Sequence, residues 1–236
     1  MIREQLLNNE NAKPNSKEIL KLREIFPQYF DVNGGFMMDR FKEMLSTDEV
    51  EVTKEGYDLR FLGKSYAKYL TSTDTTTVIT PDEKHNLKDE NKDSENIYIV
   101  GDNLDAIKHL LQSYSNKIKC IYIDPPYNTG SAFEHYDDNL EHSKWLDMMY
   151  PRLELLRELL TEDGFFCCHI DDSESHYLKG IVDEIFGRRN YLTTIYIQVR
   201  YPEKTLKQDM SFHKQIEQIH IYRKSFSAKP ILLEKN

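Results

Sequence analysis

The sequence lacks long apolar runs and paired cysteines. No run approaches the roughly 18 apolar residues of a membrane-spanning helix, and the first five residues do not resemble a secretion signal. The three cysteines, Cys120, Cys167 and Cys168, form no C-x-x-C motif. These absences argue against a membrane span, a membrane partner and a disulfide framework. We therefore expect a reduced, cytoplasmic protein whose 236 residues form one large domain or two small ones.

The chain is acidic overall, but its charge is unevenly distributed. It has 31 basic and 40 acidic residues, a formal charge of −9. Between residues 188 and 229, however, nine Lys and Arg face three acids, a balance of +6. Such a basic segment favours contact with a polyanion, although ordinary surface variation explains the same count. The candidates for phosphate contacts are Arg188, Arg189, Arg200, Lys204 and Lys207.

Composition divides the chain into four parts. Residues 1–70 have apolar residues at helical spacing and predict an N-terminal helical region. Residues 71–96 are rich in Thr, Lys, Asp, Glu and Asn, which indicates a polar linker or strap. Residues 97–199 alternate between strand and helix patterns. Residues 200–236 form a basic segment with a last strand.

The alternating part predicts an α/β fold with a Rossmann-like, doubly wound sheet. Short apolar runs predict strands at 97–100, 118–123, 165–170, 191–199 and 216–222, with helices between the earlier ones. The run at 118–123 is apolar at nearly every position, as expected of a parallel strand covered on both faces. In such folds, ligands bind at the carboxyl ends of the strands.

The strongest chemical motif stands directly after the strand at 118–123. It reads Asp124-Pro125-Pro126-Tyr127-Asn128-Thr129-Gly130. Two consecutive prolines force the chain out of the sheet in a fixed, extended form. This form holds a carboxylate, one or two carbonyl oxygens and an aromatic ring in one rigid group. The simpler alternative is a Pro-Pro turn with an Asp cap.

That group suits methylation of an exocyclic amino group on a base. The nitrogen lone pair of such a group is delocalised into the ring, so the group is a poor nucleophile. A carboxylate and a proline carbonyl that accept its two N–H bonds would polarise it and fix it for in-line attack. The tyrosine would offer a stacking face to a base that has left the duplex.

The motif resembles motif IV of the β-class N6-adenine DNA methyltransferases, and most closely that of type III restriction-system modification subunits. The resemblance covers roughly residues 57–229. Further matching segments follow in family order: Gly63-Lys64-Ser65-Tyr66-Ala67, Thr75-Thr76-Thr77, Gly101-Asp102-Asn103-Leu104, Pro151-Arg152-Leu153, Ile170-Asp171-Asp172 and the strand at 216–224. The resemblance implies a methyltransferase sheet, double-stranded DNA as substrate, S-adenosylmethionine as cofactor and a restriction subunit as partner.

The resemblance also assigns roles to residues. Asp124, Pro125, Pro126 and Tyr127 would form the catalytic motif, with Asp124 and the Pro125 carbonyl accepting from N6 of the target adenine. Asp102 and Asn103, together with Asp124, would lie at the cofactor. For Asp102 a helix N-cap is the alternative, and both roles can coexist. The helix near Trp145 would wall the methionine end of the cofactor, unless Trp145 is simply a core anchor.

One expected feature of the family is missing. The nine glycines include no Gly-x-Gly, so the glycine-rich donor loop does not occur in this sequence. We therefore expect an incomplete sheet and a truncated chain that is inactive alone. The alternatives are one half of a split enzyme that needs a second methyltransferase chain, and a non-catalytic module that binds DNA or a restriction subunit.

Other chemistries fit less well. No Pro-Cys pair supports cytosine-C5 methylation. Asp at the first motif position argues against cytosine-N4 methylation, which more often has Ser there, and against RNA or protein-glutamine methylation, which typically has Asn. His169, Asp171, Asp172 and His176 are close in sequence, but no second cluster completes a metal shell, so no metal site is predicted.

Overall fold

The computed structural model describes residues 2–47, 59–128, 141–199 and 215–230. Its strands are β1 (Ile118–Ile123), β2 (Leu160–Ile170), β3 (Tyr191–Gln198) and β4 (Ile216–Arg223). Its α-helices are α1 (Ile2–Asn11), α2 (Ser16–Ile25), α3 (Met38–Thr47), α4 (Lys64–Ser72), α5 (Glu83–Asn86), α6 (Asn103–Tyr114), α7 (His142–Leu159) and α8 (Ser175–Val182). Within these ranges no helix is long and apolar enough to cross a membrane.

The strands form one mixed sheet in the order β1-β2-β4-β3. β1 and β2 are parallel, and the connection between them contains α7. β4 runs antiparallel to both β2 and β3. The predicted α/β class is confirmed, as are four of the five predicted strands. Because β1 and β2 are parallel, their carboxyl ends meet at one edge of the sheet.

The predicted strand at 97–100 is wrong. These residues have no regular secondary structure, and Ile97, Tyr98 and Val100 are 61%, 90% and 84% exposed. A strand forms only where a neighbour takes up its backbone N–H and C=O groups, and nothing in the described part of the chain pairs with this segment. As a consequence, Asp102 does not follow a strand.

β1 also differs from expectation, because it is the edge strand of this sheet. Among the described residues it pairs with β2 alone, and only Ile121 of its six residues is buried. Tyr122 is 55% exposed. The apolar run therefore predicted the strand correctly. The expectation that both faces of this strand are covered was wrong for the described residues.

Helix α7 is the centre of the core. Its residues Trp145 and Leu153 are fully buried, and so is Phe166 on β2. The N-terminal helix α4 packs against α7 through Ala67, which has no exposed surface. Burial of apolar surface stabilises a fold by roughly 25 cal/mol per Å², so this packing fixes α7 against the sheet. The carboxyl end of β1 therefore lies against a fixed helix.

Candidate active site

The catalytic motif lies where the sequence places it, at the carboxyl end of β1. Ile123, the last residue of β1, is in register with Cys168 of β2, and the motif begins at the next residue. Asp124 is exposed, whereas residues 125–128 are half-buried. An exposed carboxylate on a partly buried turn is open to a ligand at this edge of the sheet. Thr129 and Gly130 of the motif lie outside the described residues.

The turn is fixed by a hydrogen bond from the core. The indole Nε1 of Trp145 donates to the carbonyl oxygen of Pro126 over 2.8 Å. Trp145 is fully buried, so the core-anchor alternative describes its position. No described residue donates to the Pro125 carbonyl oxygen, so that oxygen can accept from a ligand. The two prolines thus differ: one carbonyl is engaged by the protein and the other is left open.

The hydroxyl of Tyr127 contacts two carboxylates. It donates to Oε2 of Glu217 on β4 over 3.2 Å, and the carboxylate of Asp124 lies near enough to raise its pKa. Burial, followed by the hydrogen bond and charge of Asp124 and those of Glu217, raises the pKa of Tyr127 well above its usual value. Tyr127 is therefore neutral at physiological pH and carries one hydrogen for two acceptors.

His169, the next-to-last residue of β2, lies beside Tyr127. Its Nε2 lies 2.8 Å from Oε2 of Glu217, and its Nδ1 lies 3.0 Å from the hydroxyl of Tyr122. The rings of Tyr127 and His169 have centroids 5.9 Å apart. Sequence reasoning missed Glu217, because it joins the site only through antiparallel pairing of β4 with β2.

The end of the motif is held by a second buried acid that sequence reasoning missed. Glu174 is fully buried in the loop between β2 and α8. Its Oε1 accepts from Nδ2 of Asn128 at 2.6 Å and lies 2.7 Å from Nδ1 of His142 at the start of α7. Asn128 has a left-handed backbone, with φ of 59°. Glu174 thus fixes a residue whose conformation few side chains adopt. The sequence signal that could have identified Glu174 is its position four residues after the end of β2.

Asp102 has the alternative role that the sequence analysis allowed, that of a helix N-cap. It caps helix α6, because its Oδ1 accepts from the backbone N–H of Leu104 at 2.8 Å and of Asp105 at 3.4 Å. Its Oδ2 lies 3.5 Å from Arg152 on α7, and Nε of Arg152 donates to Oδ1 of Asn103 at 2.5 Å. The Asp102 side chain is 61% exposed, so Oδ2 retains room for a further donor.

The remaining candidates are only partly described. Arg188 and Arg189 are exposed in a short 3-10 turn (Arg188–Asn190) before β3. Arg200, Lys204 and Lys207 lie outside the described residues. Of the residues considered for a metal, His169 faces Glu217, and Asp171 accepts from the backbone N–H of Ser173 at 2.8 Å. The described residues contain no group of three ligands suited to a metal ion.

The fold and the site define an α/β protein with an Asp-Pro-Pro-Tyr turn at the carboxyl edge of its parallel strands. Residues 118–231 match the family model of DNA methylases, so the chain carries a DNA methylase domain. The predicted resemblance and methyltransferase sheet are thereby confirmed.

Relatives extend the likeness over most of the chain. It is 35% identical to the type III restriction-modification enzyme EcoPI Mod subunit of Escherichia phage P1, over 95% of this chain and 39% of that protein. It is 38% identical to the EcoP15I Mod subunit of Escherichia coli, over 81% and 34% respectively. It is 36% identical to the StyLTI Mod subunit of Salmonella typhimurium, over 83% and 36%. The chain thus spans between a third and two fifths of these relatives' length.

Proposed function

We propose that this chain carries the target-base site of an adenine-N6 DNA methyltransferase, the modification component of a type III restriction-modification system. The observation that supports it is the different environment of the motif's acceptors: Trp145 donates to the Pro126 carbonyl, whereas Asp124 is exposed and no described residue donates to the Pro125 carbonyl. The similarity to type III Mod subunits supports the substrate class, double-stranded DNA, and a restriction subunit as partner. Such a component acts in the cytoplasm.

The mechanism uses the motif as a rigid acceptor pair. Asp124 and the Pro125 carbonyl accept the two N–H bonds of the target N6, which concentrates its lone pair and fixes its direction. Tyr127 stacks on the flipped-out base, whose extraction costs a few kcal/mol of lost stacking and pairing. When N6 gains a methyl group it must lose a proton, and under this proposal Asp124, which accepts one of its N–H bonds, receives it.

The methyl donor of this proposal is S-adenosylmethionine, which supplies an electrophilic methyl group when bound. Asp102 fits recognition of its adenine amino group, because the exposed Oδ2 is an acceptor beside the cap of α6. Asn103 is held next to it by Arg152. A glycine-rich donor loop does not occur in these 236 residues, so turnover requires a second segment or chain that supplies it.

The proposal keeps the predicted division of the chain. Residues 1–70 are the helical region, 71–96 the polar linker and 97–199 the part that bears the chemistry. Residues 200–236 then begin the target-recognition region. Arg188 and Arg189 at the end of the third part, and Arg200, Lys204 and Lys207 in the fourth, would contact phosphates. DNA binding that weakens with salt, by about 0.9 log units per log unit of salt for each phosphate contact, would support this assignment.

The test is transfer of a labelled methyl group from S-adenosylmethionine to unmethylated duplex DNA, by the chain alone and together with a separately expressed remainder of a type III Mod subunit. We expect N6-methyladenine in the combined sample and none with Asp124→Ala, whose methyl group cannot accept a hydrogen bond. The matched control is Asp89→Ala, because the Asp89 side chain is 97% exposed. N4-methylcytosine as the product, or equal label with Asp124→Ala, would contradict the proposal.

A further inference from the structure

We propose that Glu217 is a positioning residue of the target-base site. It takes the hydroxyl hydrogen of Tyr127 and thereby leaves Asp124 free to accept from the target amino group. This inference rests on the proposed function of the motif. It adds to the site a residue from β4 that lies outside the motif, 90 positions away from Tyr127 in sequence.

The hydroxyl of Tyr127 has one hydrogen and two neighbouring carboxylates. It donates to Oε2 of Glu217 over 3.2 Å, and the carboxylate of Asp124 lies near enough to raise its pKa. A hydroxyl that donates to Asp124 would use one of the acceptor positions of this carboxylate and compete with the target amino group for its charge. A hydroxyl that donates to Glu217 occupies neither Asp124 nor the Pro125 carbonyl.

Glu217 is itself held in place for this role. Its Oε2, the atom that faces Tyr127, lies 2.8 Å from Nε2 of His169. The Tyr122 hydroxyl lies 3.0 Å from Nδ1 of His169. The contact between Nε2 and Glu217 is close but is not aligned as a hydrogen bond, so the imidazole packs against the carboxylate. The side chains of His169 and Glu217 are only 16% and 23% exposed, so water competes little for these contacts.

The sheet explains why a residue of β4 reaches this point. β4 is antiparallel to β2, with Ile170 in register with Gln218 and His169 with Ile219. The start of β4 therefore lies beside the carboxyl end of β2, and β2 lies beside β1 with its motif. Glu217 precedes Gln218 and stands at the same edge of the sheet as Asp124.

Loss of Glu217 has a specific consequence under this proposal. The Tyr127 hydroxyl keeps only Asp124 as an acceptor and turns to it, so the carboxylate is occupied when the base arrives. Removing the hydroxyl as well should release Asp124 again. Tyr127→Phe keeps the ring for stacking and removes the competing hydrogen. A purely structural role of Glu217 would give no such recovery.

The experiment measures the contribution of the target amino group to binding. A fluorescein-labelled single-stranded oligodeoxyadenosine and the same oligomer of deoxynebularine, which lacks the amino group, are titrated with the chain and its variants by anisotropy. We expect the chain to prefer adenine by about tenfold, the scale of a charge-assisted hydrogen bond. Glu217→Ala should bring the preference close to one. Glu217→Ala with Tyr127→Phe should restore it to within about twofold of the original.

A further variant guards against misfolding. Glu217→Gln should keep most of the preference, because the amide oxygen still accepts from the hydroxyl. A preference that survives in Glu217→Ala, or that the double variant does not restore, overturns this inference alone. Absence of any preference in the unchanged chain contradicts the proposed function, and the inference fails with it.

Discussion

The indole nitrogen of Trp145 and the carbonyl oxygen of Pro126 are 2.8 Å apart, and this bond joins the core helix α7 to the turn after β1. The Trp145 side chain is fully buried, while the turn it holds is half-buried and opens at Asp124. Rigidity of the site thus comes from the core and not from the turn alone. A functional group held by a buried donor keeps its geometry without help from a ligand.

Trp145→Phe should therefore weaken both the fold and the turn. Phenylalanine keeps most of the packing but leaves the half-buried Pro126 carbonyl without its donor, which costs about 0.5–1.5 kcal/mol. Urea denaturation followed by circular dichroism measures the free energy of unfolding. Tyr196→Phe is the control, because Tyr196 is 63% exposed and its hydroxyl should contribute little. Equal stability of Trp145→Phe and the unchanged chain would show that the bond contributes nothing.

Gly63 should not tolerate a side chain. It begins α4 with a left-handed backbone, φ of 94°, and a Cβ there would overlap the carboxylate of Asp147 on α7. Gly63→Ala should therefore destabilise the fold by at least the roughly 1–2 kcal/mol of left-handed strain.

Gly180→Ala is the matched control for this substitution. Gly180 lies inside α8, and a Cβ there meets only Leu59, at an ordinary 3.6 Å. Alanine at this position should gain up to about 1 kcal/mol of helix propensity. Thermal unfolding of both variants checks the expectation, and a shift of the same sign in both would contradict it.

Local patterns were sufficient for the elements and for the motif, but not for their surroundings. The apolar runs located β1, β2, β3 and β4 to within a few residues, since a strand's own side chains carry that signal. The same signal failed at 97–100, where the run is exposed, because burial depends on a neighbour that the run does not encode.

The site shows the same division. Asp124 and Tyr127 are only three positions apart in sequence, so their motif could be recognised. Glu174 and Glu217 join them from the loop after β2 and from β4, and only strand pairing and loop geometry bring them close. The two possible roles of Asp102 were both visible in the sequence, and the structure shows the cap. A single sequence does not reveal the register of its strands, so it does not determine which distant segments come into contact.

The three cysteines should differ sharply in reactivity. Burial raises the pKa of Cys167 to about 11, and burial also raises the pKa of Cys168 well above its usual value, so neither forms an appreciable thiolate near neutral pH. Cys120 is exposed on the edge strand β1. Native chain treated with Ellman's reagent at pH 7.5 should therefore show one fast thiol, and the denatured chain all three. Cys120→Ser should remove the fast phase, and a fast phase that persists would contradict this assignment.

His220 should make the fold less stable at mildly acidic pH. Desolvation by burial, with a contribution from the Lys179 charge, lowers the pKa of His220 in the folded chain. Its Nε2 lies 2.8 Å from Ser175 Oγ, and its Nδ1 lies 2.8 Å from Thr194 Oγ1. Ser175 already donates to Gln218, so it accepts from Nε2–H of His220, and Nδ1 is left as the acceptor. Protonation of Nδ1 would remove that acceptor.

The sign of the pH effect follows from this lowered pKa. An unfolded histidine titrates near pH 6.5. Below about that pH the unfolded chain is therefore protonated at His220, while the folded chain, with its lower pKa, still has this histidine neutral. The stabilising contribution of neutral His220 is complete above this pH and declines as the pH falls towards the lowered folded pKa, below which it is lost. Urea denaturation between pH 7.5 and pH 5 should give a falling free energy of unfolding, with a shallower fall in His220→Gln. His85→Gln, at an exposed site in α5, should keep the original slope. Equal slopes in the unchanged chain and His220→Gln would show that His220 is not the group responsible.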